Sequence, residues 1–311
     1  MISVVIATYN GEKFIKDQLD SILDQSVKPD EIIISDDGST DNTLALVNDV
    51  LEESGIRYII NINEVQVGYC QNFSKGLALS NGDYIFLSDQ DDSWCKNKIE
   101  VCIKYLQSGC DIVLHDMLIG DYELKIVSSS YLNEMQEKGW DLAEYCSGCA
   151  MAMTKKFLNY CMPIPKKLKD HDVWFNELGK MTGTRLVINE SLSIYRRHNN
   201  NTTSNEIFED KGIIKYLDLV KDEMTGYFFY RGQYLYNSLM SLIENKPDQI
   251  ASFANLKKFK IISIRANYKS RGILSRIFVS LYVYATNGVD IRFYIKDLLV
   301  PIVNKNNIYA E

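Results

Sequence analysis

The sequence predicts an α/β fold: a mostly parallel sheet with helices on both faces, followed by a helical C-terminal region. Three observations predict it. Short apolar runs alternate with stretches of helical periodicity through the first third of the chain. The runs are continuously apolar, as strands buried on both faces must be. Polar or acidic clusters follow three of the runs directly, at the strand ends where ligands bind in parallel α/β sheets.

Residues 2–7 (ISVVIA) read as the first buried strand. Ile15, Leu19, Ile22 and Leu23 then recur at helical spacing. Residues 31–35 (EIIIS) are a second strand, ending at Asp36-Asp37-Gly38-Ser39. Asp41 is placed to cap a helix that runs to about Glu53. A third strand covers Arg57 to Ile62. Gly68 to Ser80 is helical in pattern, and Asn81-Gly82 breaks it. The fourth strand, Tyr84 to Ser88, runs straight into Asp89-Gln90-Asp91-Asp92. A helix follows, then a strand from Asp111 to Leu114.

The middle region is less regular. It holds a small-residue stretch at 147–153 (SGCAMAM), a helix from about His171 to Met181, a strand near Leu186 and another from Leu192 to Tyr195. Further on, Ile213, Leu217, Val220, Met224 and Tyr227 keep a helical stripe. The expected division is one α/β domain over 1–205 and a helical region over 206–311.

A net charge of −7 over 311 residues argues against non-specific nucleic-acid binding. No run approaches the roughly 20 apolar residues that span a bilayer. The first residues show no secretory signal pattern. Seven scattered Cys suit reduced thiols and a cytoplasmic protein. Cys146-Ser147-Gly148-Cys149 lacks the second pair a zinc site needs and reads as ordinary thiols.

The acids carry the chemistry. Asp89, Asp91 and Asp92 would repel one another unless a hard divalent cation, which takes oxygen ligands, completes the site. Asp36 and Asp37 end another strand on the same rim, and Thr8, Tyr9 and Asn10 end the first. Asp36 and Asp37 serve a turn, a nucleobase or a ribose. His171-Asp172 opens a helix, where an acid offsets the dipole or acts as a general base. Arg196, Arg197 and His198 form a cationic group able to make charge-assisted bonds to phosphate. His115 reads as a core or edge residue, and His171 as a supporting one.

Together, "VVIATYNGEKFIKDQLDSILDQS", "EIIISDDGSTDNT", "GYCQNFSKGL", "GDYIFLSDQDDSW", "HDVWF" and "YRRHNNN" resemble, in order, the family 2 glycosyltransferases, which have the GT-A fold. The resemblance covers about residues 1–205. It is nearest a bacterial subset that includes the rhamnosyltransferases of rhamnan, O-antigen and capsule assembly.

The resemblance implies nucleotide contact through Thr8, Tyr9, Asn10, Asp36, Asp37, Asn72 and Asp89. It implies a Mn²⁺ or Mg²⁺ site at Asp91, Asp89 and His198, with Asp92 supporting it or facing the acceptor. It implies that Asp172 is the catalytic base of an inverting transfer. Arg196, Arg197, Trp94 and Gly148 fall on its diphosphate and acceptor side. The expected donor is dTDP-L-rhamnose, with UDP-galactose, UDP-glucose or a UDP-N-acetylhexosamine as alternatives. The expected acceptor is a polyprenol-diphosphate-linked glycan.

A rival from another class, a non-catalytic sugar-nucleotide or glycan-binding module, would keep the base-binding acids and need no Asp172. A nucleotidyltransferase would want a basic Gly-rich loop, and "TYNGEKF" offers only Lys13. Residues 257–276 carry seven Lys or Arg and no acid, beside the aromatic-rich "ILSRIFVSLYVYA". That asymmetry suits peripheral docking on an anionic membrane surface.

Overall fold

A computed structural model describes residues 1–138, 142, 145–198, 201, 238, 241 and 242. The chain separates into two units, Met1–Glu209 and Asp210–Glu311. The helical stripe expected beyond residue 206 falls almost wholly outside the described residues, and the basic segment 257–276 entirely so.

Four strands build the first half of the sheet: β1 (Ile2–Thr8), β2 (Glu31–Asp36), β3 (Arg57–Ile62) and β4 (Tyr84–Ser88). They lie in the order β3-β2-β1-β4, all parallel. The continuous apolar runs of β1, β2 and β4 follow from burial on both faces, and edge strand β3 is half-buried. Val4, Ile6, Ile32 and Ile34 join one core with Ile15, Leu19 and Ile22 of α1 (Ile15–Leu23) and Val47 and Leu51 of α2 (Thr43–Glu52). Each such side chain contributes about 1.5–3 kcal/mol on burial. On the opposite face α3 (Tyr69–Leu79) packs on β1 and β2. Gly76 permits this approach, because a Cβ there would stand 2.7 Å from Val5 Cγ1.

The second half is mixed. It adds β5 (Ser93–Trp94), β6 (Ile112–Gly120), β7 (Ile126–Ser128), β8 (Met151–Thr154) and β9 (Arg185–Arg196). The order continues β4-β8-β6-β9-β5, with β7 on β6. β8 runs antiparallel to both β4 and β6, whereas β6 and β9 are parallel. Apolar patterning reports burial and not strand direction, so the sequence shows the strands but not this reversal.

β6 continues past Leu114 because the buried Asp116 carboxylate is satisfied inside. Asp116 accepts from Met117 N at 2.7 Å, Ser130 Oγ at 2.5 Å and Leu132 N at 2.9 Å. His115, fully buried, bonds through Nδ1 to the Asp116 carbonyl at 2.6 Å. The segments read as two strands near Leu186 and Leu192 are one, β9, with register irregularities against β6. The remaining helices are α4 (Lys98–Gln107), α5 (Tyr131–Glu137), α6 (Lys155–Cys161) and α7 (His171–Thr182). Among the described residues no helix is long and apolar enough to cross a membrane.

The parallel half fixes the site. Thr8 pairs with Asp36, and Ile6 with Ser88, so β1, β2 and β4 end on one rim.

Candidate active site

A cavity of about 590 Å³ opens at that rim. It gathers Thr8, Tyr9, Asp37, Asn72, Asp89 and Asp91 from the parallel half, and Gly148 and Asp172 from the mixed half. Residues 164 positions apart, Thr8 and Asp172, thus share one lining because β8 and α7 return to the ends of β1 and β4.

Asp36 and Asp37 divide the labour at the end of β2. Asp36 is fully buried and builds the turn. It accepts from Thr8 Oγ1 at 2.7 Å, Gly38 N at 3.0 Å, and Ser39 N and Oγ at 2.7 and 2.6 Å. It does not line the cavity, because these four bonds occupy its carboxylate. Asp37 does line it. Asp37 accepts from Val67 N and Gly68 N, both at 2.8 Å, and from Asn63 Nδ2 at 2.9 Å. It therefore sits where the positive end of α3 favours an anion. Asn72, on α3, accepts from Ser35 Oγ at 2.8 Å and donates to the Ser35 carbonyl at 2.6 Å. Asn10, with φ 47°, donates to Ser39 Oγ at 2.9 Å and accepts from Thr40 N at 2.8 Å. It ties the first loop to the second and is not part of the lining.

The acidic loop is clipped on both sides. Gln90, for which the sequence carries no signal, accepts from Tyr9 N at 2.9 Å and donates to the Tyr9 carbonyl at 3.0 Å. Asp91 Oδ2 stands 2.9 Å from His198 Nε2, and the His198 ring stacks on Phe14 at 4.6 Å. Asp92 is fully buried. Its Oδ1 accepts from Arg196 N at 3.1 Å, and among the described residues its Oδ2 has no hydrogen-bond partner.

Burial, then the charges of Asp92, Asp91 and Asp172, hold Asp89 well above the usual carboxylate range. Burial, then Asp91, pushes Asp92 up to about 7. Ligand atoms of Asp89, Asp92 and Cys149 all lie within 4.8 Å of one another. Burial pushes the Cys149 thiol well above its ordinary value, so it stays protonated and is a poor donor to a hard cation. Crowded carboxylates around an unpartnered buried oxygen suit a hard divalent cation, which would remove their repulsion.

Behind the loop lies a buried cation that sequence patterning does not reveal. Lys98 is fully buried, donates to the Cys149 carbonyl at 2.7 Å and sits 3.8 Å above the Trp94 ring. Burial lowers its pKa to about 8. Trp94 is therefore the platform for Lys98, packed near Phe86, and not a wall of the cavity.

Asp172 lies in the first turn of α7 and accepts from Val173 N at 2.8 Å. It faces the same cavity as Asp89 and Asp91. The helix is held by Trp174, whose Nε1 donates to the Cys161 carbonyl at 3.0 Å. Neighbouring His171 is buried against Phe73, ring centroids 4.1 Å apart, with no partner for either nitrogen among the described residues. Burial lowers its pKa, leaving a neutral ring. Gly148 makes room for it: a Cβ there would stand 2.5 Å from His171 Nε2. Cys146 lines the same cavity, and burial, then the nearby charge of Asp172, raise its thiol well above the ordinary value. Tyr69 Oη, also missed, donates to Asp170 Oδ1 at 2.5 Å across the lining.

Two of the expected diphosphate contacts are placed elsewhere. Arg196 is 3% exposed, and its guanidinium bonds to the Asp91 carbonyl, the Tyr122 carbonyl and Asp17. The Arg197 guanidinium lies 4.9 Å from the Tyr195 ring, and it is Tyr195 that lines the cavity. The polar loop at 199 and 200 lies outside the described residues.

Fold and rim together define a GT-A-type α/β protein. The model of Glycosyl transferase family 2 matches residues 3–160, just over half of the chain, and the chain belongs to that family. It is similar to the dTDP-rhamnosyl transferase RfbG of Shigella flexneri, 46% identical over 117 residues, which cover 34% of this chain and 39% of that relative. Among solved structures it resembles S. aureus TarS in complex with UDP-GlcNAc, at TM-score 0.56 and 16% identity over 97% of this chain and 90% of that one. It also resembles the mannosyltransferase PcManGT of Pyrobaculum calidifontis in complex with GDP-Man and Mn²⁺, at TM-score 0.51 and 12% identity over 97% and 86%. At these identities the structural likeness is one of fold.

Proposed function

We propose that the chain is an inverting, divalent-cation-dependent glycosyltransferase. It moves a sugar from a nucleotide donor to a cell-surface polysaccharide precursor. The observation that carries the reading is the shared cavity: Asp172 faces the same space as Asp89 and Asp91, beside Thr8 and Asp37.

Asp89, Asp91 and His198 would hold Mn²⁺ or Mg²⁺. When bound, the cation neutralises the charge that develops on the leaving nucleoside diphosphate. Thr8, Tyr9, Asp37 and Asn72 form the wall against which the nucleotide packs. Asp172 takes the proton from an acceptor hydroxyl as its oxygen attacks the anomeric carbon. The new glycosidic bond forms while the bond from sugar to diphosphate breaks. One direct displacement inverts that carbon and needs no enzyme nucleophile.

For the donor, the likeness to RfbG supports dTDP-L-rhamnose. A UDP-hexose is the second reading, favoured by the fold shared with TarS, which was solved with UDP-GlcNAc. A polyprenol-diphosphate-linked glycan suits the basic 257–276 segment as acceptor, because both would meet at the cytoplasmic face of a membrane. Incubating the protein with a panel of dTDP- and UDP-sugars, with and without Mn²⁺, tests the reading. Mn²⁺-dependent nucleoside diphosphate release from one donor is expected. Release from none, with acceptor glycan supplied, would leave a binding module.

A further inference from the structure

We infer that Arg196 is a positioning residue that preorganises the acidic loop 89–92 for its cation. The inference rests on the divalent-cation reading above and goes beyond it, since Arg196 itself touches neither cation nor substrate.

The loop has a problem that its sequence alone cannot solve. Asp89, Asp91 and Asp92 occupy four consecutive positions with Gln90, and any two of them ionised together repel while no cation is bound. A site that must collapse before binding gives up affinity, and one held in shape beforehand does not.

Arg196 holds the loop at two points. Its backbone N donates to Asp92 Oδ1 at 3.1 Å, and its Nε donates to the Asp91 carbonyl at 2.8 Å. The other two guanidinium nitrogens fasten that grip to distant segments. One donates to the Tyr122 carbonyl, between β6 and β7, at 2.8 Å. The other meets Asp17 Oδ2 of α1 at 2.8 Å. Three acceptors in three directions match the planar fork of Arg, and a Lys ammonium cannot reproduce them.

The same strand end delivers His198. The Phe14 ring supports both side chains, with the Arg196 guanidinium at 4.9 Å and the His198 ring at 4.6 Å. Asn201 Nδ2 donates to the Arg196 carbonyl at 3.0 Å, and its Oδ1 accepts from His198 N at 2.6 Å. Backbone clamp and imidazole thus arrive at Asp91 as one unit. The burial of Arg196 is compensated on this account by Asp17, which is itself half exposed.

Titration with Mn²⁺ alone, read as loss of the free-ion electron paramagnetic resonance signal, tests the inference. Arg196→Lys is expected to weaken Mn²⁺ binding about tenfold, and Asp17→Asn, at the outer end of the clamp, about threefold. A role confined to packing would lower the metal-free melting temperature and leave Mn²⁺ affinity unchanged, which overturns the inference. Should Arg196→Lys fail to fold, unchanged affinity in Asp17→Asn overturns it equally. A wild-type protein that binds no Mn²⁺ overturns the cation reading and this inference together. Wild-type binding with unaltered variants overturns this inference alone.

Discussion

His198 Nε2 and Asp91 Oδ2 meet at 2.9 Å across 107 positions of sequence. The contact joins the end of β9 to the loop after β4 and leaves both side chains largely buried. An imidazole and a carboxylate so placed share either a proton or a cation. The account predicts the second. Asp91→Ala should abolish Mn²⁺-dependent binding of the nucleoside diphosphate, and His198→Ala should weaken it about tenfold. Calorimetry with unchanged affinity in both variants would remove them from the cation site.

Asp37 is expected to matter for stability as well as binding. Asp37→Ala deprives Val67 N, Gly68 N and Asn63 Nδ2 of their acceptor at the part-buried start of α3. Two orphaned amides and a lost amide bond should cost about 3 kcal/mol in urea denaturation. Donor affinity should fall with it, since Gly68 lines the cavity. A variant as stable as wild type contradicts this role.

Gly148 tests whether the wall beside His171 sets the position of Asp172. The methyl of Gly148→Ala would stand 2.5 Å from His171 Nε2. Displacing that ring moves the start of α7 and the carboxylate beside it. The expected result is a fall in kcat of about a hundredfold with the donor KM nearly unchanged. Equal kcat would show that the ring yields without moving α7.

Metal-free stability should depend on pH through Asp92. Its carboxyl titrates near 7 when folded, against about 4 when unfolded. The folded state therefore binds the proton more tightly. The resulting stability is complete below about pH 4 and is lost as pH rises through about 7. In chelator, the melting temperature should drop between pH 5 and pH 8 more for wild type than for Asp92→Asn. Mn²⁺ should restore much of the loss at pH 8. Parallel pH profiles for the two proteins would show that Asp92 is ionised throughout.

The parallel half was legible because β1, β2 and β4 are buried on both faces, and continuous runs such as Val4–Ile6 and Ile32–Ile34 can be little else. The rim followed from chain direction: acids just after β2 and β4 had to share an end. The acids' separate tasks were not legible. Asp36 and Asp37 look alike in sequence, and only the amides of Val67 and Gly68 reveal which one faces the cavity. Arg196 and Trp94 read as contacts on the diphosphate and acceptor side because residue pattern does not show which partner a cation or an indole meets: Asp17, 179 positions away, for Arg196, and Lys98, on the next helical turn, for Trp94. Gln90 gave no signal, since a neutral amide between acids looks like a spacer until its two bonds to Tyr9 are seen. The direction of β8 was hidden for the reason that periodicity carries no sign.

The most direct test is nucleoside diphosphate release by Asp172→Asn, with donor, Mn²⁺ and acceptor glycan present and donor affinity measured in parallel. The amide keeps the shape and cannot take the acceptor proton. Release should fall by a factor of about 10² to 10⁴ while donor affinity stays within about twofold of wild type. Wild-type turnover by this variant would contradict the account.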